Sequence, residues 1–105
     1  MLDATTSVAG EVATVTLVGD ADADSAPRLD GWIAAVTRTP VRRLVLDVTR
    51  VGYMSSAGLR CLVFAHQRLG RGVEIVLVGA RPEVAETIRL TGFDRTVRLV
   101  DEAPS

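Results

Sequence analysis

Ser55 and Ser56 stand side by side in "VGYMSSAGLRCLVFAHQ", residues 51–67, between a strand-like run and a helix-like run. Paired hydroxyls at the mouth of a helix have three chemical uses. They can cap the free amides of the first turn, act as a nucleophile, or accept a group that another protein transfers. A nucleophilic serine needs a base within hydrogen-bond reach. The chain's one histidine, His66, lies roughly 15 Å from Ser56 along the same helical run, at a rise of about 1.5 Å per residue. That distance excludes a Ser–His pair within one chain. The glycine spacing of a nucleophile elbow is also missing around the serines. An enzyme is therefore disfavoured.

Other chemistries fare no better. The sequence contains neither GxxxxGK[ST] nor GxGxxG after a strand, the two phosphate-cradling patterns, and "LGRGV" reads as a helix stop and turn. Cys61 and His66 on one helix make no known metal-ligand set. Asp20, Asp22 and Asp24 alternate as in the start of a calcium loop, but that loop's glycine and distal glutamate are missing, so the expectation is a solvated turn plus a helix cap. Cys61, the only cysteine, sits in an apolar helical run and reads as a small buried hydrophobe. No metal and no cofactor are expected.

The serines remain as cap or switch. At the N-cap, Ser55 or Ser56 would bond first-turn amides and contribute about 1 kcal/mol. With Ser55 as the cap, Ser56 would begin the first turn with its hydroxyl outward. A phosphate there would meet the positive end of the helix dipole, so the fold would tolerate it, while a partner docked over that helix end would be displaced. Gly58 costs about 1 kcal/mol relative to alanine inside a helix, so a backbone or a partner is expected to approach closely at that point.

These residues must be positioned by a small fold. The chain has 105 residues, 48% hydrophobic and 24% charged, which suits one compact domain with a real core. Its net charge of -1, from 12 basic and 13 acidic residues, gives no electrostatic footprint for nucleic acid. No basic amphipathic segment suits a membrane surface, and no apolar run approaches the roughly 20 residues of a membrane helix. The first residues lack the pattern of a signal peptide, so a cytoplasmic protein is expected. All 12 basic residues are arginine, and there is no lysine or asparagine, as a GC-rich bacterial coding bias would produce.

Periodicity then orders the elements. "ATTSV" before Gly10 suggests a short partner strand, and "EVATVTLVGD" alternates with strand period. "DADSAPRLDGWIAAVTR" predicts a helix capped by Asp24 or Ser25, with Pro27 in its first turn and Leu29, Trp32, Ile33 and Val36 on one face. "VRRLVLDV" reads as a short buried strand, and "TRVGYMSSAG" as the segment leaving its carboxyl end. A second helix carries Leu59, Leu62, Val63 and Leu69 on one face and stops at Gly70. "RGVEIVLVG" is a buried strand. "RPEVAETIRLTG" is a third helix with Val84 and Ile88 inward, and "TVRLV" is a last strand before a loose acidic tail, 102–105. The order ββαβαβαβ implies an α/β fold with parallel pairing and right-handed crossovers.

"LVLDVTRVGYMSSAGLRCLV" resembles the signature of STAS domains, specifically the bacterial anti-sigma factor antagonists. Their pattern is a strand, an aromatic, an apolar residue, Asp-Ser-Ser-Gly-Leu-Gly, and then a helix. "LVGDADADSAPRL" is similar to the family's Gly-Glu-Leu-Asp turn, with Gly19, Asp20 and Asp22 in matching places. "LTGFDRTVRLVD" looks like its C-terminal helix, turn and last strand. The resemblance covers nearly the whole chain, a single STAS domain over 1–105 with its core at about 3–101. It implies a mixed, mostly parallel sheet backed by helices.

The resemblance also implies a mechanism. The family's regulated serine maps onto Ser56, with Ser55 as the runner-up acceptor. The unphosphorylated form binds an anti-sigma factor that is also an ATP-dependent serine kinase, and so frees the sigma factor. Phosphorylation ends the association, and a PP2C-type phosphatase restores it. Asp22 corresponds to an acidic residue near the kinase interface. The implied partner surface comprises Asp20, Asp22, Met54, Ser55, Ser56, Ala57, Gly58, Leu59 and Arg60, on a protein that is monomeric alone. Three positions depart from the family: Ser55 replaces the Asp, Ala57 the second Ser, and Arg60 the second Gly. The alternative is a non-switching STAS adaptor, either a stressosome-like scaffold component or a small subunit of a lipid-transport ATPase complex, in which both serines are structural.

Overall fold

The computed structural model describes residues 1–101; the expected tail at 102–105 lies outside the described residues. Five strands and three helices follow in the order β1 (Leu2–Ala9), β2 (Val12–Ala21), α1 (Ala26–Val36), β3 (Arg43–Met54), α2 (Ser56–Leu69), β4 (Glu74–Val78), α3 (Pro82–Leu90), a 3-10 turn (Phe93–Arg95) and β5 (Arg98–Val100). They form one sheet in the order β1-β2-β3-β4-β5. β1 runs antiparallel to β2, and every later neighbour is parallel. The expected ββαβαβαβ order and mixed, mostly parallel sheet are observed.

That strand order places the helices. From β2 onward each crossover steps one strand in the same direction. Right-handed connections then lay every helix on the same face. Accordingly, α1 (Leu29, Ile33, Val36), α2 (Leu59, Leu62, Ala65) and α3 (Val84, Ile88) share one buried cluster with Ala13, Val15, Leu17, Leu44, Leu46, Ile75 and Leu77 of the strands. The opposite face holds a smaller cluster made only of strand residues, Val45, Val76 and Val78, flanked by Val12 and Val100. Trp32, Val63 and Leu69, expected on the inward helical faces, are only partly buried against the main core.

Two elements run longer than the sequence reading proposed. The short partner strand at "ATTSV" is an eight-residue β1. β3 does not stop at Val48. It continues through "TRVGYM" to Met54, so the supposed loop after it shrinks to Ser55. The cause is the pairing with β2, which extends to Ala21 and shifts register twice, between Thr16 and Val18 and between Gly19 and Asp20. At each shift β3 carries one residue more than β2, as at a β-bulge. Asp47 closes the first irregularity: its Oδ1 accepts hydrogen bonds from the Thr49 backbone N–H (3.1 Å) and hydroxyl (2.7 Å). A bulged strand breaks the alternation on which a sequence reading depends.

Candidate functional site

The serines lie where β3 meets α2. Ser55 is the N-cap in extended conformation, and its hydroxyl oxygen accepts a hydrogen bond from the Gly58 N–H at 3.2 Å. Its own backbone N–H donates to the Ala21 carbonyl at 2.7 Å, extending the β2–β3 ladder by one step. Ser56 is the first helical residue, exposed to solvent, and its hydroxyl has no protein partner among the described residues. Ser55 therefore fills the capping role expected of it, and Ser56 is left with a free hydroxyl at the positive end of a 14-residue helix. The first turn of α2 contains no acidic residue.

Gly58 meets backbone, and the backbone belongs to its own chain. It is buried, and a Cβ built on it would sit 2.8 Å from the Ala21 carbonyl oxygen and 3.1 Å from the Ala21 Cβ. The glycine lets α2 rest directly on the end of β2. Gly58 is thus a packing residue rather than a contact for a partner. Met54 (4% exposed) and Leu59 (5%) are likewise core residues. Of the expected partner surface, Asp20, Ser56 and Arg60 are exposed, while Asp22, Ser55 and Ala57 are half-buried. The buried three shape that surface from beneath.

The acidic turn that follows β2 is locked. The Asp22 N–H donates to the Ser25 hydroxyl oxygen at 2.9 Å, and the Ser25 N–H donates back to Asp22 Oδ1 at 3.0 Å. The Ser25 hydroxyl proton has Asp22 Oδ1 (2.9 Å) and the Asp20 carbonyl (3.0 Å) within reach. Hydrogen bonds from the Ser25 backbone and then its side chain hold the Asp22 carboxyl below its ordinary value of 3.8. This corrects the expected cap. Ser25 is the α1 N-cap by position, but its side chain makes no forward bond into the helix, and it turns back to Asp22 instead. The exposed Asp24 takes no part in this hydrogen bonding. Pro27 lies in the first turn as expected. Among the described residues no group of three His, Cys, Asp or Glu side chains is placed to hold a metal ion.

Ala21 joins the two turns. Its carbonyl receives Ser55 and sits under Gly58, and the next residue is Asp22. The acidic turn and the serine turn are therefore joined through Ala21 at the carboxyl ends of β2 and β3.

The structure adds Phe64 and Arg68, which the sequence reading missed. Ser56, Arg60, Phe64 and Arg68 recur every fourth residue of α2 and are all exposed, so they form one outward row. Phe64 is 54% exposed, an unusual place for a phenyl ring. Arg68 reaches Asp30 of α1 at 3.7 Å, and the Cys61 thiol donates to the Ala26 carbonyl at 3.3 Å, so α1 and α2 are bridged twice. A groove of about 510 Å³ runs between them over Pro27, Ala57, Cys61 and Phe64. A second, of about 450 Å³, lies between α2 and the 3-10 turn, bounded by Ser56, Arg60, Val63 and Phe93. Arg60 lines both grooves and makes no ion pair among the described residues. The four-residue spacing was readable in the sequence, but the outward direction of that row was not.

Cys61 and His66 stay out of the chemistry. Cys61 is buried as expected, and burial, followed by the Asp30 carboxylate, pushes its thiol up. His66 lies on α2 with Ser56, as expected, three turns further along, and its Nδ1 is buried without a hydrogen-bond partner. Among the described residues no helix is long and apolar enough to cross a membrane.

A sheet of this order, with all crossovers on one face and a Ser-Ser turn opening its central helix, defines a small α/β module of the STAS type. The family model described as "STAS domain" matches residues 3–103, and the chain belongs to that family. Relatives agree. The chain is 36% identical over 78 residues to BtrV of Bordetella bronchiseptica, covering 73% of this chain and 67% of the relative. It is 30% identical over 88 residues to the anti-sigma-F factor antagonist RsfB of Mycobacterium tuberculosis, covering 84% and 72%. Among solved structures, an anti-sigma factor antagonist from Mycobacterium paratuberculosis superposes with a TM-score of 0.88 at 28% identity, covering 97% of this chain and 87% of the other.

Proposed function

We propose that this protein is an anti-sigma factor antagonist of the cytoplasm of a bacterium. It binds an anti-sigma factor that is an ATP-dependent serine kinase, and phosphorylation of Ser56 switches it off. Binding withdraws the anti-sigma factor from its sigma factor. The protein acts by association and is not itself an enzyme. Relatives that carry the antagonist name over most of their length support the class.

The observation that carries the switch is the division of labour between the two serines. Ser55 is committed to the Gly58 amide, while the Ser56 hydroxyl is exposed and unbonded. In the transfer, Ser56 Oγ forms a bond to the γ-phosphorus of ATP as the bond to the ADP oxygen breaks, and the hydroxyl proton passes to a base of the kinase. The product carries nearly two negative charges at the N-terminus of α2, where the dipole and the unpaired Arg60 one turn on favour them. The fold keeps its shape. A partner seated over the row from Ser56 to Phe64 meets new bulk and charge at the row's first residue. Hydrolysis of the phosphoserine by a PP2C-type phosphatase restores the binding form. Ser55 in place of the family's Asp leaves one acidic group fewer beside the acceptor, and the locked, ionised Asp22 remains in the adjoining turn.

The test is incubation with ATP and the serine kinases of the same genome, followed by intact mass and peptide mapping. One phosphate on Ser56 and none on Ser55 is the expected result. Ser56→Ala should bind the kinase constitutively and Ser56→Asp weakly. Equal binding by the two, or no phosphate with any kinase, removes the switch and leaves the adaptor reading.

A further inference from the structure

The two edges of the sheet are built in opposite ways. β5 is three residues long, begins with Arg98, which points a guanidinium to within 3.9 Å of Glu74, and is followed by Asp101. Short length and charge are the usual means of keeping an edge from pairing with another chain. β1 has neither. It is eight residues long and pairs with β2 in unbroken register from Leu2↔Gly19 to Ala9↔Val12. After Asp3 it contains no charge and no proline. Thr5 to Ala9 are all exposed, and Val8 is 46% exposed. Its outer side has no partner strand among the described residues. Alternate residues along it therefore present unpaired N–H and C=O groups.

We infer that β1 pairs antiparallel with β1 of a second copy of this chain, joining two five-stranded sheets into one of ten. Self-complementarity points to a second copy as the occupant. Residues opposite each other in an antiparallel pair lie on the same face, so a two-fold axis must pass through a residue rather than between two. An axis at Thr5 would set Val8 against Leu2, which is fully buried and out of reach. An axis at Thr6 sets Thr6 against Thr6, Val8 against the partly buried Ala4, Thr5 against Ser7, and Asp3 against Ala9. Every position from Asp3 to Ala9 then has a match, no two like charges face each other, and the exposed valine is covered. Threonine–threonine and threonine–serine pairs suit a strand interface. A net charge of -1 offers little repulsion between copies. β3, which leads into Ser56, lies two strands in from this edge, so both switch sites of the pair stay open. The default expectation of a lone monomer gives way here to a reversible dimer.

Sedimentation velocity on the full chain, from micromolar to near-millimolar concentration, reads the pairing directly. The wild type should pass from monomer to dimer as concentration rises. The double variant Thr6→Lys, Val8→Lys places like charges at the axis on exposed positions, and should raise the dimer dissociation constant at least ~tenfold with unchanged thermal unfolding of the monomer. Thr6→Cys should give a covalent dimer on mild oxidation, because its two copies face each other at the axis. A wild type that stays monomeric throughout overturns the inference and leaves the edge to a strand of some other protein. A dimer that survives both lysines also overturns it.

Discussion

α1 and α2 both begin at a serine after a strand, and the two serines are used in opposite ways. At α1 the hydroxyl of Ser25 is buried and occupied: it receives the Asp22 N–H and lies within 3.0 Å of Asp22 Oδ1 and the Asp20 carbonyl. Pro27 follows, and the first turn gains no forward cap. At α2 the task is divided. Ser55 caps forward onto Gly58, and Ser56 keeps a hydroxyl with no structural duty. α3 has proline in its first turn and a capping arginine position with no side-chain bond. Only α2 opens on a spare nucleophilic oxygen. A serine at a helix entrance is thus informative about function only once its hydrogen bonds are counted.

Substitutions at the two entrances can break or sharpen this contrast. Gly58→Val should have the largest effect, about 3 kcal/mol in urea unfolding, because its side chain must push α2 away from the Ala21 carbonyl. A near-neutral result would show that α2 does not rest on β2. Ser25→Ala should cost about 1–2 kcal/mol, since the Asp22 N–H is left without its acceptor in a half-buried turn. Ser55→Ala should cost about 1 kcal/mol through loss of one cap. Ser56→Ala should stay within ~0.5 kcal/mol of wild type while removing the phosphate acceptor. If Ser56→Ala destabilised the protein as much as Ser55→Ala, the division of labour would be wrong.

The acidic turn adds a pH signature. The folded-state carboxyl of Asp22 is depressed, so its contribution to stability is fully present above 3.8 and is lost as pH falls through the lower folded value. Asp22→Asn should therefore narrow its stability gap to wild type as pH drops below 3.8 in parallel acid titrations. A gap that is constant with pH would mean that Asp22 is not ionised against Ser25.

Much of this was readable beforehand, for identifiable reasons. Helix ends carry local signals, so Gly70 and Pro82 marked their boundaries correctly. The Ser55 cap was likewise local, resting on one side chain and an amide three residues on. Non-local pairing was not readable. β3 runs to Met54 because β2 beside it runs to Ala21, and two register shifts hide the alternation of "TRVGYM". Gly58 illustrates the same limit. A close approach was foreseeable from a glycine in a first turn, but whether backbone or a partner filled the space depended on a strand 37 residues earlier.

The sequence by itself determined the element order, the capping chemistry at Ser55 and the separation of His66 from Ser56 along one helix. Each follows from periodicity, spacing or the geometry of one helix. Tertiary structure alone decided which neighbours those residues meet. It buried Met54, Gly58 and Leu59 beneath the surface they support, turned Ser25 back onto Asp22, aimed Ser56, Arg60, Phe64 and Arg68 outward, and left β1 as an open edge. The physical reason is that burial and strand pairing are relations between segments distant in the chain, and no local pattern records which segment arrives.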